Sequence, residues 1–289
     1  MTQKQYQLVE CPRDAMQGLR HWVPTEEKIA YLQALLEVGF DVLDAGSFVS
    51  PKAIPQMKDS SEVLNALDYS KTATRISVVV ANDQGYADAL LHSAVHRIGF
   101  PLSVSETFQQ RNTHRSIQEA LVMIRPWTAM AEGAGKDFLV YLSMGFGNPY
   151  GDPYSIENVL GLVQNLVEMG VEDIALSDTV GLALPHEIET VYQAVRKQYP
   201  GLNLGLHLHA HPSRAEGKML AALDSGCEWV EGALLGYGGC PMANDEMVGN
   251  IPSELWIQLL QSKGIKLNIH QEALHRAQWM ATGLFSKYH

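Results

Sequence analysis

The chain has 289 residues, of which 46% are hydrophobic, enough to fill one large core. Its 21 Lys+Arg against 32 Asp+Glu leave a net charge of -11, which argues against nucleic acid and against an anionic membrane as partners. A locally basic pocket could still admit an anionic small molecule. Three cysteines without paired spacing (Cys11, Cys227, Cys240) exclude a disulfide framework and point to a reducing compartment. No apolar run reaches the roughly 18 residues of a membrane span. The opening MTQKQYQLV has no apolar signal core, so a cytoplasmic location is expected.

Short apolar runs alternate with longer amphipathic ones. Tyr6–Glu10 reads as a first strand and Thr25–Glu37 as a helix that starts after Val23-Pro24 and stops at Gly39. Val42–Ala45 reads as a strand, and Pro51–Leu67 as a weaker helical stretch. Strands at Arg75–Val79 and Arg97–Leu102 flank a helix at Asp83–Val95. Helix Ile117–Glu132 leads to strand Phe138–Ser143, helix Ile156–Met169 to strand Asp173–Ser177, and helix Pro185–Gln198 to strand Asn203–His209. Helix Ala215–Asp224 and strand Glu228–Glu231 complete the series, and Gly39, Gly170 and Gly226 each separate a helix from the next strand. Eight strands alternating with helices predict a (β/α)8 TIM barrel. A doubly wound sheet would carry a Gly-rich fingerprint after its first strand, where this chain has Cys11-Pro12-Arg13-Asp14. Two further helices, Pro252–Gln261 and His270–Ala281, follow the eighth strand. The expected organisation is one catalytic domain over 1–289 with a helical cap at about 252–289.

Chemistry in such a barrel gathers at the C-terminal strand ends. The polar residues expected there are Arg13 and Asp14, Asp44, Glu106, Asp178, His207 and His209, Glu231 as a partner for a barrel cation, and Cys240 in the final loop. His207-Leu-His209 places two imidazoles on one strand face, where they can share a metal ion; two hydrogen-bonded core histidines would give the same spacing. Asp14 beside Arg13 could be a surface turn or the carboxylate that completes that site. Imidazole, carboxylate and amide ligands suit Mg²⁺ or Mn²⁺ and also admit Zn²⁺. Gly236-Tyr-Gly-Gly-Cys240-Pro reads as a lid bearing a thiol that could serve as acid or base, or be inert. Asn250 could equally cap a helix near Ile251-Pro252.

These segments together resemble the 3-hydroxy-3-methylglutaryl-CoA lyase family. Glu10-Cys-Pro-Arg13-Asp14-Ala-Met-Gln17 looks like its E-x-x-P-R-D-G-x-Q, and Ser47-Phe-Val-Ser-Pro-Lys52 with Pro55-Gln-Met57 like its T-S-F-V-S-P-K…P-Q-M. Ser105-Glu-Thr-Phe108 with Asn112, Ser177-Asp-Thr-Val-Gly181 and Gly236-Tyr-Gly-Gly-Cys-Pro241 match its S-E-x-F…N, x-D-T-x-G and G-L-G-G-C-P. The resemblance covers nearly the whole chain. It implies Asp14, His207, His209 and Asn250 as metal ligands, Arg13 as the stabiliser of an enolate oxygen, and Cys240 as a proton carrier on the loop. His207 could also shuttle a proton, and Asp178 would support the acid–base site. It further implies an acyl-CoA substrate, cleavage of 3-hydroxy-3-methylglutaryl-CoA to acetoacetate and acetyl-CoA, and a homodimer.

The departures cluster around the substrate. The family's Gly after Arg-Asp is Ala15, its glutamate at the end of strand two is the shorter Asp44, its H-x-H-D-T-x-G is His207-Leu-His209-Ala-His-Pro-Ser, and Cys240 to Asn250 is one residue longer. Two other readings share parts of the pattern. Condensing synthases of the isopropylmalate or citramalate kind have Arg-Asp and His-x-His but lack the G-G-C-P loop. A non-catalytic metal-binding paralogue would tolerate Ala15 and the altered loops.

Overall fold

A computed structural model describes residues 6–239 and 248–289. Eight parallel strands close on themselves in sequence order. They are β1 (Gln7–Glu10), β2 (Val42–Phe48), β3 (Arg75–Val80), β4 (Arg97–Ser103), β5 (Asp137–Ser143), β6 (Asp173–Asp178), β7 (Asn203–Leu208) and β8 (Trp229–Gly232). Between and after them run α1 (Pro12–Gln17), α2 (Thr25–Leu36), α3 (Ser60–Ala66), α4 (Asp83–Leu91), α5 (Glu106–Thr113), α6 (Ile117–Gly133), α7 (Ile156–Glu168), α8 (Pro185–Gln198), α9 (Pro212–Asp224), α10 (Ser253–Ser262) and α11 (Gln271–Tyr288). The expected TIM barrel with extra C-terminal helices is the observed fold. No helix among the described residues is long and apolar enough to cross a membrane.

Strand alternation divides the core in two. One set of side chains, including Val9, Val42, Val79, Leu139, Tyr141, Ala175 and Trp229, packs inside the barrel. The other, including Leu8, Leu43, Ile76, Val78, Ile98, Phe100, Val140, Leu176 and Leu206, packs outward against the helices. Two glycines make room for the largest interior side chains. A Cβ on Gly205 would stand 2.1 Å from the Trp229 ring, and one on Gly99 would stand 2.7 Å from Tyr141. The interior is therefore filled by side chains, and the polar residues of interest gather at its C-terminal mouth.

Several boundaries differ from the sequence expectation and move functional residues. Arg13 and Asp14 sit in the short helix α1, which opens directly on β1 with Pro12 in its first turn. Asp44 does not end its strand: β2 continues to Phe48 through a register shift between Asp44 and Gly46. Glu106 opens helix α5, which Ser105 caps by accepting from Phe108 N. His209 lies one residue beyond β7, bridged to Asn250, and the helix that follows Asn250 starts from Pro252. Asn250 is thus not a helix cap.

The last helix ties the β8 loop down. Tyr237 stacks on Phe285 of α11 at 4.2 Å between ring centroids. Phe285 is itself wedged edge-on against Tyr31 of α2. At the helix end, Tyr288 OH donates to Glu27 at 2.7 Å.

Candidate active site

Asp14, His207 and His209 meet at the barrel mouth. Each is buried, and their ligand atoms all lie within 4.8 Å of one another. The outer nitrogens of the two rings decide what the inner ones can do. His209 Nδ1 lies 2.8 Å from the Val248 carbonyl, which can only accept, so this nitrogen carries hydrogen. His207 Nδ1 lies 2.7 Å from Glu231 Oε2, again an acceptor. The two Nε2 atoms then face each other at 2.9 Å with lone pairs inward. Such an approach is repulsive unless a cation or a proton lies between them, and it is the arrangement that hydrogen-bond acceptors behind the rings impose on metal-binding histidines.

Asn250 adds a fourth donor. Its amide nitrogen donates to Asp14 Oδ2 at 2.6 Å and to the Tyr237 carbonyl at 2.9 Å. Its Oδ1 is buried and accepts no hydrogen bond from the described residues. A buried amide oxygen left without a donor costs stability unless a cation takes it. The donor set of carboxylate, amide oxygen and two imidazole nitrogens therefore fits a divalent cation. A second group that could hold a metal, Cys11, His207 and Glu231, lies on the other side of the His207 ring. Its atoms are already bonded to one another, with Cys11 Sγ at 3.6 Å from Glu231 Oε2.

Arg13 is fixed beside this group. Its Nε and one terminal nitrogen donate to Asp44 Oδ2 at 2.9 and 2.6 Å, and its other terminal nitrogen reaches Gln17 Oε1 at 2.9 Å and Asp14 Oδ1 at 3.3 Å. Burial pushes the Asp14 carboxyl up, but Arg13 first and the histidines next outweigh it and hold it at about 2. For Asp44 burial prevails over Arg13, and its carboxyl is pushed up to about 6. Arg13 stays protonated whichever way these balances fall.

Sequence reasoning placed Asp178 with the proton-transfer machinery. It is buried but turned away from the cavity, which Ser177 and Thr179 on either side of it do line. Asp178 accepts from Lys218 Nζ and from Ala183 N, and Lys218 Nζ also donates to the His209 carbonyl at 2.8 Å. Asp178 therefore holds the backbone of His209 rather than facing the cavity. Cys240 lies outside the described residues. The segment leading to it is described, and it lies against the ligands: a Cβ on Gly238 would stand 2.4 Å from Asn250 Nδ2 and 2.8 Å from Asp14 Oδ2. Only a glycine lets the backbone come that close.

Glu231, expected as the partner of a barrel cation, and two residues outside the expected set, Tyr141 and Lys218, surround the site. Glu231, 1% exposed, gathers His207, the Tyr141 hydroxyl at 3.1 Å and Arg97 at 3.6 Å. Tyr141 lines the cavity. Lys218 shows a signal that could have found it: it takes an apolar stripe position on α9 with Ala215, Met219 and Ala222, and a lysine there needs a buried acid.

The cavity above these groups has a volume of about 220 Å³ and is walled by Val79, Pro101, Tyr141 and Ile54. The HMGL-like family model matches residues 7–280. The chain is 33% identical to the hydroxymethylglutaryl-CoA lyase of Bacillus subtilis over 93% of its own length and 89% of that protein's. It is 32% identical to the mitochondrial hydroxymethylglutaryl-CoA lyase of Mus musculus, over 95% of this chain and 84% of the mouse protein. The solved structure of an HMG-CoA lyase from Acinetobacter baumannii, in complex with coenzyme A and 3-methylmalate, superposes with a TM-score of 0.90 at 29% identity, covering 99% of this chain and 93% of that one. The chain belongs to the HMGL-like family, and the relatives it matches are carbon–carbon lyases.

Proposed function

We propose that the protein cleaves 3-hydroxy-3-methylglutaryl-CoA to acetoacetate and acetyl-CoA, with Mg²⁺ or Mn²⁺ held by Asp14, His207, His209 and Asn250. The observation that carries this reading is the buried convergence of Asp14 with two inward-facing Nε2 atoms, beside an Asn250 oxygen that has no other partner among the described residues. The bound cation would lower the pKa of the substrate's tertiary hydroxyl.

The chain's own residues then divide the work. The hydroxyl proton must pass to a base, the role that His207 or Cys240 would take, the C2–C3 bond breaks, and its electron pair moves to C2 as the enolate of the thioester. Arg13 is the stabiliser of that enolate oxygen. It is permanently charged, buried, and locked by Asp44, Asp14 and Gln17, so it need not reorganise as charge develops. Protonation of C2 completes the products, and Cys240 on the Gly-rich loop is the residue we assign to that transfer. Asp178 serves as a positioning residue, through Lys218 and the His209 backbone. A CoA thioester as substrate is supported by the coenzyme A complex of the Acinetobacter structure.

The reading is tested by assaying acetyl-CoA release from the thioester with Mg²⁺ or Mn²⁺ added. Metal-dependent release is expected, and loss of release in Cys240→Ala would support the loop's role. Protein that binds metal and releases no acetyl-CoA overturns the proposal. Light scattering on the same sample checks the homodimer.

A further inference from the structure

The cavity carries a charge pattern opposite to that of the molecule. In a chain of net charge -11, its described lining includes three arginines (Arg13, Arg111, Arg115) and three histidines (His114, His207, His209), while Asp14 is the one lining carboxylate. Arg13 is matched by Asp14 and Asp44, and His207 and His209 face the cation site. Arg111, His114 and Arg115 take no part in the proposed bond cleavage. They flank Asn112 at the end of α5, Arg111 in its last turn and His114 and Arg115 just beyond it.

That turn is built to point them at the mouth. His114 ends α5 in the left-handed region at φ 56, a conformation that a non-glycine residue keeps only when its surroundings hold it there. The reversal brings Arg115 over the end of β3, where one of its terminal nitrogens donates to the Ala81 carbonyl at 3.1 Å. Glu119, the acid whose charge acts on Arg115, is itself engaged by the Ser116 backbone N–H at 2.7 Å and by the Ser116 hydroxyl. Arg111 is held by its ring contact with Tyr150, 4.7 Å from the guanidinium to the centroid, and Tyr150 stacks on Phe108. In a closed ring of eight strands β3 lies across from β7. Arg115 therefore faces the His207–His209 side over the width of the mouth.

We propose that Arg111, His114 and Arg115 form an anion clamp on the barrel rim that binds an oxyanion at the far end of the substrate. A guanidinium offers planar, paired donors suited to carboxylate or phosphate, and both arginines are already anchored, so little freedom is lost on binding. Two groups of an acyl-CoA carry that chemistry: a phosphate of the CoA moiety and a free carboxylate of the acyl group. The substrate side of this inference rests on the lyase reading; the anion-binding side does not.

Calorimetric titration of CoA itself into wild type, Arg115→Gln and Arg115→Lys requires no turnover. It is paired with KM for 3-hydroxy-3-methylglutaryl-CoA and for the same acyl group on pantetheine, which lacks the phosphates. If a phosphate is the ligand, Arg115→Gln weakens CoA at least tenfold, Arg115→Lys recovers most of it, and the pantetheine thioester shows no effect. If the carboxylate is the ligand, CoA binding is unchanged and KM rises at least tenfold on both thioesters. Unchanged CoA affinity together with unchanged KM overturns the clamp. A wild type that binds CoA and cleaves neither thioester overturns the lyase reading alone. Should Arg115→Gln fail to fold, Arg111→Gln on the exposed rim carries the test, with at least a threefold loss expected and no change overturning the proposal.

Discussion

Arg13 and Glu231 hold two sides of one site, and different measurements separate them. Arg13→Lys keeps a positive charge but cannot reach Asp44, Asp14 and Gln17 at once as the guanidinium fork does. We expect kcat to fall by about 10²–10³, the usual cost of one oxyanion stabiliser, with Mn²⁺ affinity nearly unchanged. A loss under tenfold would remove Arg13 from the stabilising role. Glu231→Gln acts the other way. It keeps the size of the side chain that orients His207 and removes the charge that selects its tautomer. Mn²⁺ affinity, read by the paramagnetic signal of free ion, is expected to drop about 10–100-fold. An unchanged affinity would leave Glu231 only a partner of Arg97 and Tyr141.

At the scale of elements, what was legible in the sequence follows from burial. Parallel strands covered on both faces are near-continuous apolar runs, so all eight stand out, as does the start of α11, which the sequence pattern ends at Ala281 and the structure carries on to Tyr288. α1 and α5 do not. α1 is six residues long, and α5 reads Glu-Thr-Phe-Gln-Gln-Arg-Asn-Thr with one large apolar side chain. Neither shows a helical period, and tertiary contacts decide both. That Asp14, His207, His209 and Asn250 come together was legible through the motif resemblance, but the direction of Asp178 was not. That depends on Lys218, forty positions away, reaching it across the β6–α9 interface. The same limit applies to α11, whose sequence reads as a cap while its contacts reach the site. Tyr237 rests on Phe285, and the Tyr237 carbonyl holds Asn250. Phe285→Leu keeps most of the apolar volume and loses the stack, at a cost of about 0.5–1.5 kcal/mol. We expect a melting temperature lower by a few degrees and, well below it, activity reduced about three- to tenfold through Asn250. Activity that follows only the folded fraction would confine α11 to a stabilising role.

For the molecule as a whole, buried carboxyls set opposite limits on pH. Asp14, held at about 2, contributes stability above its ordinary pKa of 3.8, and this is lost as pH falls toward 2. Glu10 works in the other direction. It ends β1 facing away from the barrel interior, accepts from Leu234 N at 2.9 Å and bonds Ser253, and is completely buried. Burial pushes its carboxyl up to about 8, against the lowering effect of those two bonds. The folded chain therefore keeps a proton that the unfolded chain releases above the ordinary value of 4.5. Stability must fall as pH rises from 4.5 to about 8, by at most about 5 kcal/mol at 1.4 kcal/mol per unit. Asp44, pushed up to about 6, adds a smaller decline in the same direction. Glu10→Gln keeps an oxygen for Leu234 N and has no proton to lose. Melts from pH 5 to 9 at fixed metal concentration should show wild type and variant nearly together at the acid end and the variant more stable by several degrees at pH 8.5. Curves that stay parallel would mean that Glu10 is ionised in the fold, with Ser253 and Leu234 satisfying the charge.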